Sequence, residues 1–199
     1  MLSKSDGGYF RWVIVAANFL IMIALWSPWA AYGVFLGPLA EDLNWQRGTA
    51  DVAFSIVLIM GAPLGLAVGK IIDQYGPRKM MVFEVFLCSA AFLLASTIQE
   101  LWQLYLYLGI MEGCAFAGAY LIPTATTARW FDKNRGLALS IVMSAIGIAY
   151  IIGPLLMVRL MEAYGWRGTF LIFGAGIAML GILPALVLRN PAEASVRRE

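Results

Sequence analysis

The carboxyl group best placed to do chemistry is that of Glu112. It lies about eleven residues inside an apolar run, roughly 16 Å deep if the run is helical. Keeping it ionised there costs on the order of 3 kcal/mol or more, so it is protonated, paired, or turned towards a water-filled cavity. Such a group can take up a proton from one side and release it to the other. A protonated structural carboxyl, hydrogen-bonded to a neighbouring helix, is the alternative. Glu84 lies about four residues inside another apolar run, near Lys79, and reads as a snorkelling or paired group. Asp51, at the start of a run, reads as a partner for a helix N-terminal dipole. Asn18, Trp26, Trp29 and Tyr32 fall on one helical stripe, and Tyr105, Phe116 and Tyr120 on another. No lysine or arginine sits near the middle of any run, so an organic anion held at mid-depth would lack a cationic partner from this sequence. Arg159 falls at the end of a run and reads as snorkelling.

These residues are positioned by an unusual chain: 199 residues, 61% hydrophobic, 13% charged and without histidine. A soluble domain carries about 25% charged residues. The absence of histidine excludes histidine-dependent catalysis, and Cys88 and Cys114 sit in apolar runs without metal-ligand spacing. No enzyme, metal or cofactor is expected, and there is no basic domain or phosphate loop to suggest nucleic acid. The apolar runs are about twenty residues long, enough to cross roughly 30 Å of hydrocarbon as helix. Six spans follow, at 12–36, 49–69, 80–98, 101–126, 137–158 and 169–188. The expected fold is all-α and polytopic, with residues 1–11 as an N-terminal segment, 12–188 as a six-helix bundle and 189–199 as a loop or tail. The first run is too long for a signal-peptide core, so it is expected to stay in the mature chain.

Basic residues set the orientation. Lys4, Arg11, Lys70, Arg78, Lys79, Arg129, Lys133, Arg135, Arg189, Arg197 and Arg198 fall on one face, and only Arg47, Arg159 and Arg167 on the other. The positive-inside rule places both termini in the cytoplasm of a cell inner (plasma) membrane protein. Most of the tryptophans lie near span ends, as an aromatic belt would place them.

The sequence repeats itself. Asp73-Gln74-Tyr75-Gly76-Pro77-Arg78 returns 89 positions later as Glu162-Ala163-Tyr164-Gly165-Trp166-Arg167, and Gln46-Arg47-Gly48 meets Asn134-Arg135-Gly136 at nearly the same offset. The same offset carries the first three spans onto the last three, giving repeats at about 12–98 and 101–188. Three is odd, so the copies must be inverted in the bilayer, an architecture of transporters.

The loop Gly69-Lys70-Ile71-Ile72-Asp73-Gln74-Tyr75-Gly76-Pro77-Arg78-Lys79 resembles that between helices two and three of the major facilitator superfamily, Gly-x-x-x-Asp-x-x-Gly-x-Arg-Lys. Gly69 would let its helix end close to a neighbour, Gly76 and Pro77 would turn the chain, and Asp73 could face Arg78 or the dipole of the next helix. With Lys79, these residues would form a conformational latch; a basic loop that only sets topology is the alternative. Asp6-Gly7-Gly8-Tyr9-Phe10-Arg11-Trp12, Tyr120-Leu121-Ile122-Pro123-Thr124, 130–138 and Tyr164-Gly165-Trp166-Arg167-Gly168-Thr169-Phe170 look like monocarboxylate porters and bacterial oxalate/formate antiporters.

The resemblance implies alternating-access transport of a small monocarboxylate or related organic anion, by symport or antiport. It implies that spans one, two, four and five line the cavity, where Tyr120, Asn18 and Trp29 would meet substrate and Glu112 could couple protons. The departures are specific. Helix one lacks the lysine of animal monocarboxylate porters, and Gly109 stands where superfamily members often carry arginine before the glycine of helix four. Members have twelve helices, so the partners expected here are a bilayer and either a second six-helix half or a second copy. Alternatives are a transporter of another solute, such as a drug or sugar, and a non-transporting six-helix assembly partner. Gly61, Gly65 and Gly69, and Gly109 with Gly113, form small-residue stripes for close helix packing.

Overall fold

The computed structural model describes residues 4–189, with every side chain in that range except those of residues 4–8 and 73. The expected tail at 189–199 therefore lies, from residue 190 onward, outside the described residues. Within them every regular element is helical: α1 (Lys4–Ala30), α2 (Tyr32–Asp42), α3 (Arg47–Tyr75), α4 (Pro77–Ala95), α5 (Leu101–Leu104), a π-helical segment (Tyr105–Met111), α6 (Glu112–Phe116), α7 (Leu121–Trp130) and α8 (Arg135–Val187).

Four stretches are long and apolar enough to cross a membrane: Tyr9–Ala30, Arg47–Ile72, Leu101–Trp130 and Arg135–Val187. The last contains two spans. Its 53 residues would rise about 80 Å, against about 30 Å of hydrocarbon. Gly165 breaks it with φ 66 and ψ 174. The remaining span is α4, whose 19 residues rise about 28 Å and which carries Arg78 and Lys79 at its start. The protein is thus an all-α polytopic membrane protein of six transmembrane helices. Several helices outrun the apolar runs: α3 continues to Tyr75, and the fifth span to the Gly165 break. Backbone hydrogen bonding continues where the side chains turn polar.

Local sequence explains the breaks. Pro28 has no N–H to bond the carbonyl one turn earlier, and the first span breaks at Ala31 between α1 and α2. Pro77 begins α4, where a missing N–H costs nothing. Glu100 and Gln103 form a reciprocal capping box at the start of the fourth span.

The repeat is written into the backbone. Among the described residues positive φ occurs at two glycines, Gly76 (81°) and Gly165 (66°), and two other residues, Asn44 (55°) and Asn134 (66°). The two glycines are 89 positions apart, the offset of the sequence repeat, whereas Asn134 caps the start of α8 as Gln46 caps that of α3, 88 positions earlier. The ψ values of Gly76 and Gly165, 156° and 174°, lie in a region open essentially to glycine alone. Close packing repeats too. A β-carbon on Gly65 of α3 would lie 3.5 Å from the Ala117 carbonyl oxygen in the fourth span, and one on Gly153 of α8 would lie 2.5 Å from that of Ser27 in α1. The two halves of the bundle are inverted copies with exchanged partners.

Gly109 and Gly113 let the fourth span approach α3, where β-carbons would meet Ile56 at 3.2 Å and Met60 at 2.9 Å. Gly69 does not serve this purpose, since a β-carbon there would meet nothing within 4 Å. At the opposite end from the Gly76 turn, Phe35, Phe92 and Phe170 pack edge to face at 5.1–6.1 Å and bind α2, α4 and α8 together.

Candidate functional site

Four spans contribute to an aromatic basin. Trp29 stacks flat on Phe116, with ring centroids 4.2 Å apart and planes within 4°, and meets Phe54 at 5.0 Å. Trp26, one helical turn earlier, meets Phe116 edge-on at 4.8 Å and Tyr150 at 6.4 Å. The stripe spacing on the first span and the residues Phe54 of α3, Phe116 of α6 and Tyr150 of α8 thus converge. Beside them lies a cavity of about 500 Å³, lined by Trp29, Tyr32, Asp51, Phe54, Ser55 and Tyr150 among others. Such a volume suits a small organic molecule. The buried indole nitrogen of Trp26 has no hydrogen-bond partner. It is enclosed by the ring cluster, and Trp26 is not among the residues that line the cavity.

Asn18 is held elsewhere. It is fully buried, and its amide nitrogen donates to the Pro123 carbonyl at 3.2 Å and to the Thr127 hydroxyl at 2.9 Å, joining α1 to α7. Its carbonyl oxygen is unpartnered. Tyr120 is half exposed at the turn where α6 hands over to α7. The structure therefore brings Trp29 into the basin, while Asn18 crosslinks helices and Tyr120 sits outside the ring cluster.

Glu112 is buried and faces α4. The Cys88 thiol donates to its Oε1 at 3.7 Å, and its Oε2 is unpartnered. Glu84 is fully buried as well, and its carboxylate lies beside the Gly118 backbone without a well-aligned hydrogen bond. This corrects its reading as a snorkelling group. Gly118 makes the room, because a β-carbon there would overlap Glu84 Oε1. Tyr32 donates its hydroxyl to the Leu108 carbonyl at 2.8 Å, inside the π-helical segment and one turn before Glu112.

The loop at the basic face is built around the Gly76 turn. Arg78 and Lys79 are exposed and form no ion pair among the described residues, and the Asp73 side chain is outside those described. Its inverted copy is closed. The Trp166 indole donates to Asp42 Oδ2 at 2.9 Å, Arg167 pairs with the same oxygen at 3.5 Å and donates to the Ile98 carbonyl at 3.1 Å, and its guanidinium lies 4.1 Å from the Trp166 ring centre. That cluster ties the ends of spans one, three and six. Among the described residues, no group of three or more histidine, cysteine, aspartate or glutamate side chains could hold a metal.

Comparison with known proteins agrees with this architecture. An uncharacterized transporter of Saccharomyces cerevisiae is 30% identical over 95% of this chain and 29% of its own length. Monocarboxylate transporter 12 of Mus musculus is 30% identical over 94% of the chain and 38% of its own length. Monocarboxylate transporter 9 of Gallus gallus is 28% identical over 96% of the chain and 37% of its own length. The chain thus spans about a third of the length of these relatives. A profile described as Major Facilitator Superfamily matches residues 14–199. Six membrane-spanning helices in two inverted triplets, matched over nearly their whole length, identify the chain as a member of the Major Facilitator Superfamily, a family of transporters.

Proposed function

We propose that this chain is the first six-helix half of a transporter that moves a small monocarboxylate or related organic anion by alternating access. The observation that carries the reading is the match of nearly the whole chain to proteins named monocarboxylate transporters. Residues 12–188 form the bundle, in repeats 12–98 and 101–188, with the termini on the cytoplasmic side of the plasma membrane. A second six-helix half, or a second copy, completes the cavity. The basin supplies apolar contact through Trp29, with Tyr120 and Asn18 as further contacts once the helices shift. The carboxylate's positive partner comes from the other half. Glu112 exchanges the coupled proton, and Gly69, Asp73, Gly76, Arg78 and Lys79 form the cytoplasmic latch.

The test is uptake of labelled lactate, formate and oxalate by vesicles containing the complete transporter. Uptake that responds to an imposed pH gradient, with the response lost in Glu112→Gln, supports the whole reading. Unchanged pH dependence in that variant removes the coupling role. Failure to move any carboxylate removes the substrate class and favours a second reading, a neutral or apolar solute. The aromatic lining and the lack of a mid-span cation among the described residues favour that second reading.

A further inference from the structure

Glu84 and Glu112 are the only acidic or basic side chains in the buried set among the described residues. They lie on adjacent antiparallel spans. Glu84 lies against Gly118 of the fourth span, and Cys88, one turn along α4 from Glu84, donates to Glu112. Three of the four carboxylate oxygens have no well-aligned hydrogen bond. Two charges buried without a cation, and largely without donors, are too costly to retain together, so the arrangement calls for a small ligand that neutralises charge without needing space. A proton is such a ligand.

The two groups also differ in access. Tyr32, which walls the 500 Å³ cavity together with Asp51, donates to the Leu108 carbonyl one helical turn before Glu112. Glu84 is one helical turn, about 6 Å, nearer the basic face, where α4 begins. The titratable groups facing the pair are Cys88 from α4 itself and Tyr32 from α2, with Asp51 of α3 beyond Tyr32. The helices α1, α7 and α8 bury no charged side chain against it.

We propose that Glu84 and Glu112 form one coupled proton site, in which Glu84 accepts the proton from Glu112 on the way to the basic face. The transfer moves a single proton. The O–H bond on Glu112 breaks, an O–H bond forms on Glu84, and the negative charge is left on Glu112 in place of Glu84. Cys88 is a positioning residue that orients Glu112. The inference rests on the coupling role given to Glu112 above and adds a second, necessary carboxyl.

The experiment is an infrared pH titration of the chain in phosphatidylcholine vesicles, following the carbonyl stretch of protonated carboxyl groups. Coupling predicts that Glu84→Gln shifts the pH midpoint of the remaining Glu112 band by about one unit or more, and that Glu112→Gln does the same to Glu84. Gly118→Ala and Glu84→Asp keep a carboxyl but displace it, and both should move the Glu112 midpoint. They keep the test open if a glutamine variant misfolds. Variants that each delete one band and leave the other's midpoint in place would overturn the proposal, as would the lack of any protonated-carboxyl band in the unmodified protein. Uptake by the complete transporter separates the two readings. Midpoints that move together while Glu112→Gln leaves the pH dependence of uptake unaltered retain the coupled site and remove its transport role. Independent midpoints with loss of pH dependence in Glu112→Gln alone remove Glu84 and retain Glu112.

Discussion

Replacing Gly153 by alanine should loosen the contact between the first and fifth spans, whereas the same change at its repeat partner, Gly65, should not. A β-carbon at Gly153 would lie 2.5 Å from the Ser27 carbonyl oxygen, 2.9 Å from its Cα and 3.0 Å from its carbonyl carbon. Ordinary carbon–oxygen contacts are about 3.3–3.6 Å, so α1 and α8 must separate by about 1 Å at the crossing. Every obstructing atom is backbone, and no rotamer change can relieve it. Overpacking of this kind costs about 3 kcal/mol, from which the helix preference for alanine over glycine recovers about 1. The net loss is about 2 kcal/mol, or an apparent melting temperature lower by about 4–8 °C at this chain length. At Gly65 the nearest atom is 3.5 Å away, an ordinary contact, so the alanine preference acts alone and the melting temperature should hold or rise by about 2–4 °C. Thermal unfolding in detergent, followed by tryptophan fluorescence, measures both. Equal melting of the two variants, in either direction, would refute the claim that backbone proximity at Ser27 sets the response.

Gly76→Ala and Gly165→Ala should each cost about 1–3 kcal/mol, because both glycines hold φ and ψ values that a β-carbon disfavours. Melting losses of similar size support the equivalence of the two turns, and a loss at one position alone counts against it. Asn18→Ala removes two hydrogen bonds and strands the buried Thr127 hydroxyl, for a loss of about 1–3 kcal/mol. Unchanged melting with weakened substrate binding would instead assign Asn18 to the cavity. Asp42→Ala, which loses the indole bond and the half-exposed ion pair, should lower stability by about 1 kcal/mol, while Glu162→Ala, in an exposed pair with Arg159, should leave it unchanged. Trp26→Phe keeps an aromatic ring and removes an N–H that is buried without a partner, so the melting temperature should hold or rise.

The spans and the repeat were legible because each is a pattern of residue type along the chain. Run length gave six crossings, and the acid-x-Tyr-Gly-x-Arg echo marked the turns that the structure places at Gly76 and Gly165. Glu84 was misread because depth was counted from the end of an apolar run. What buries it is Gly118, a residue on another span whose missing side chain leaves the space. The aromatic basin was half legible. Helical spacing aligned Trp26 and Trp29, but Phe54 and Tyr150 joined them only through crossings set by the glycines.

The two copies of the turn end in different electrostatic conditions. At Gly165 the charges are satisfied within the six helices: Arg167 has Asp42 and the Ile98 carbonyl, and Asp42 also receives the Trp166 indole. At Gly76, Arg78 and Lys79 stand exposed with no ion-pair partner among the described residues. An exposed pair contributes little by itself, so leaving these charges in water costs the six helices almost nothing. Duplication supplied one turn for each face. Among the described residues, one turn is a tie within the bundle and the other leaves its two basic side chains in water.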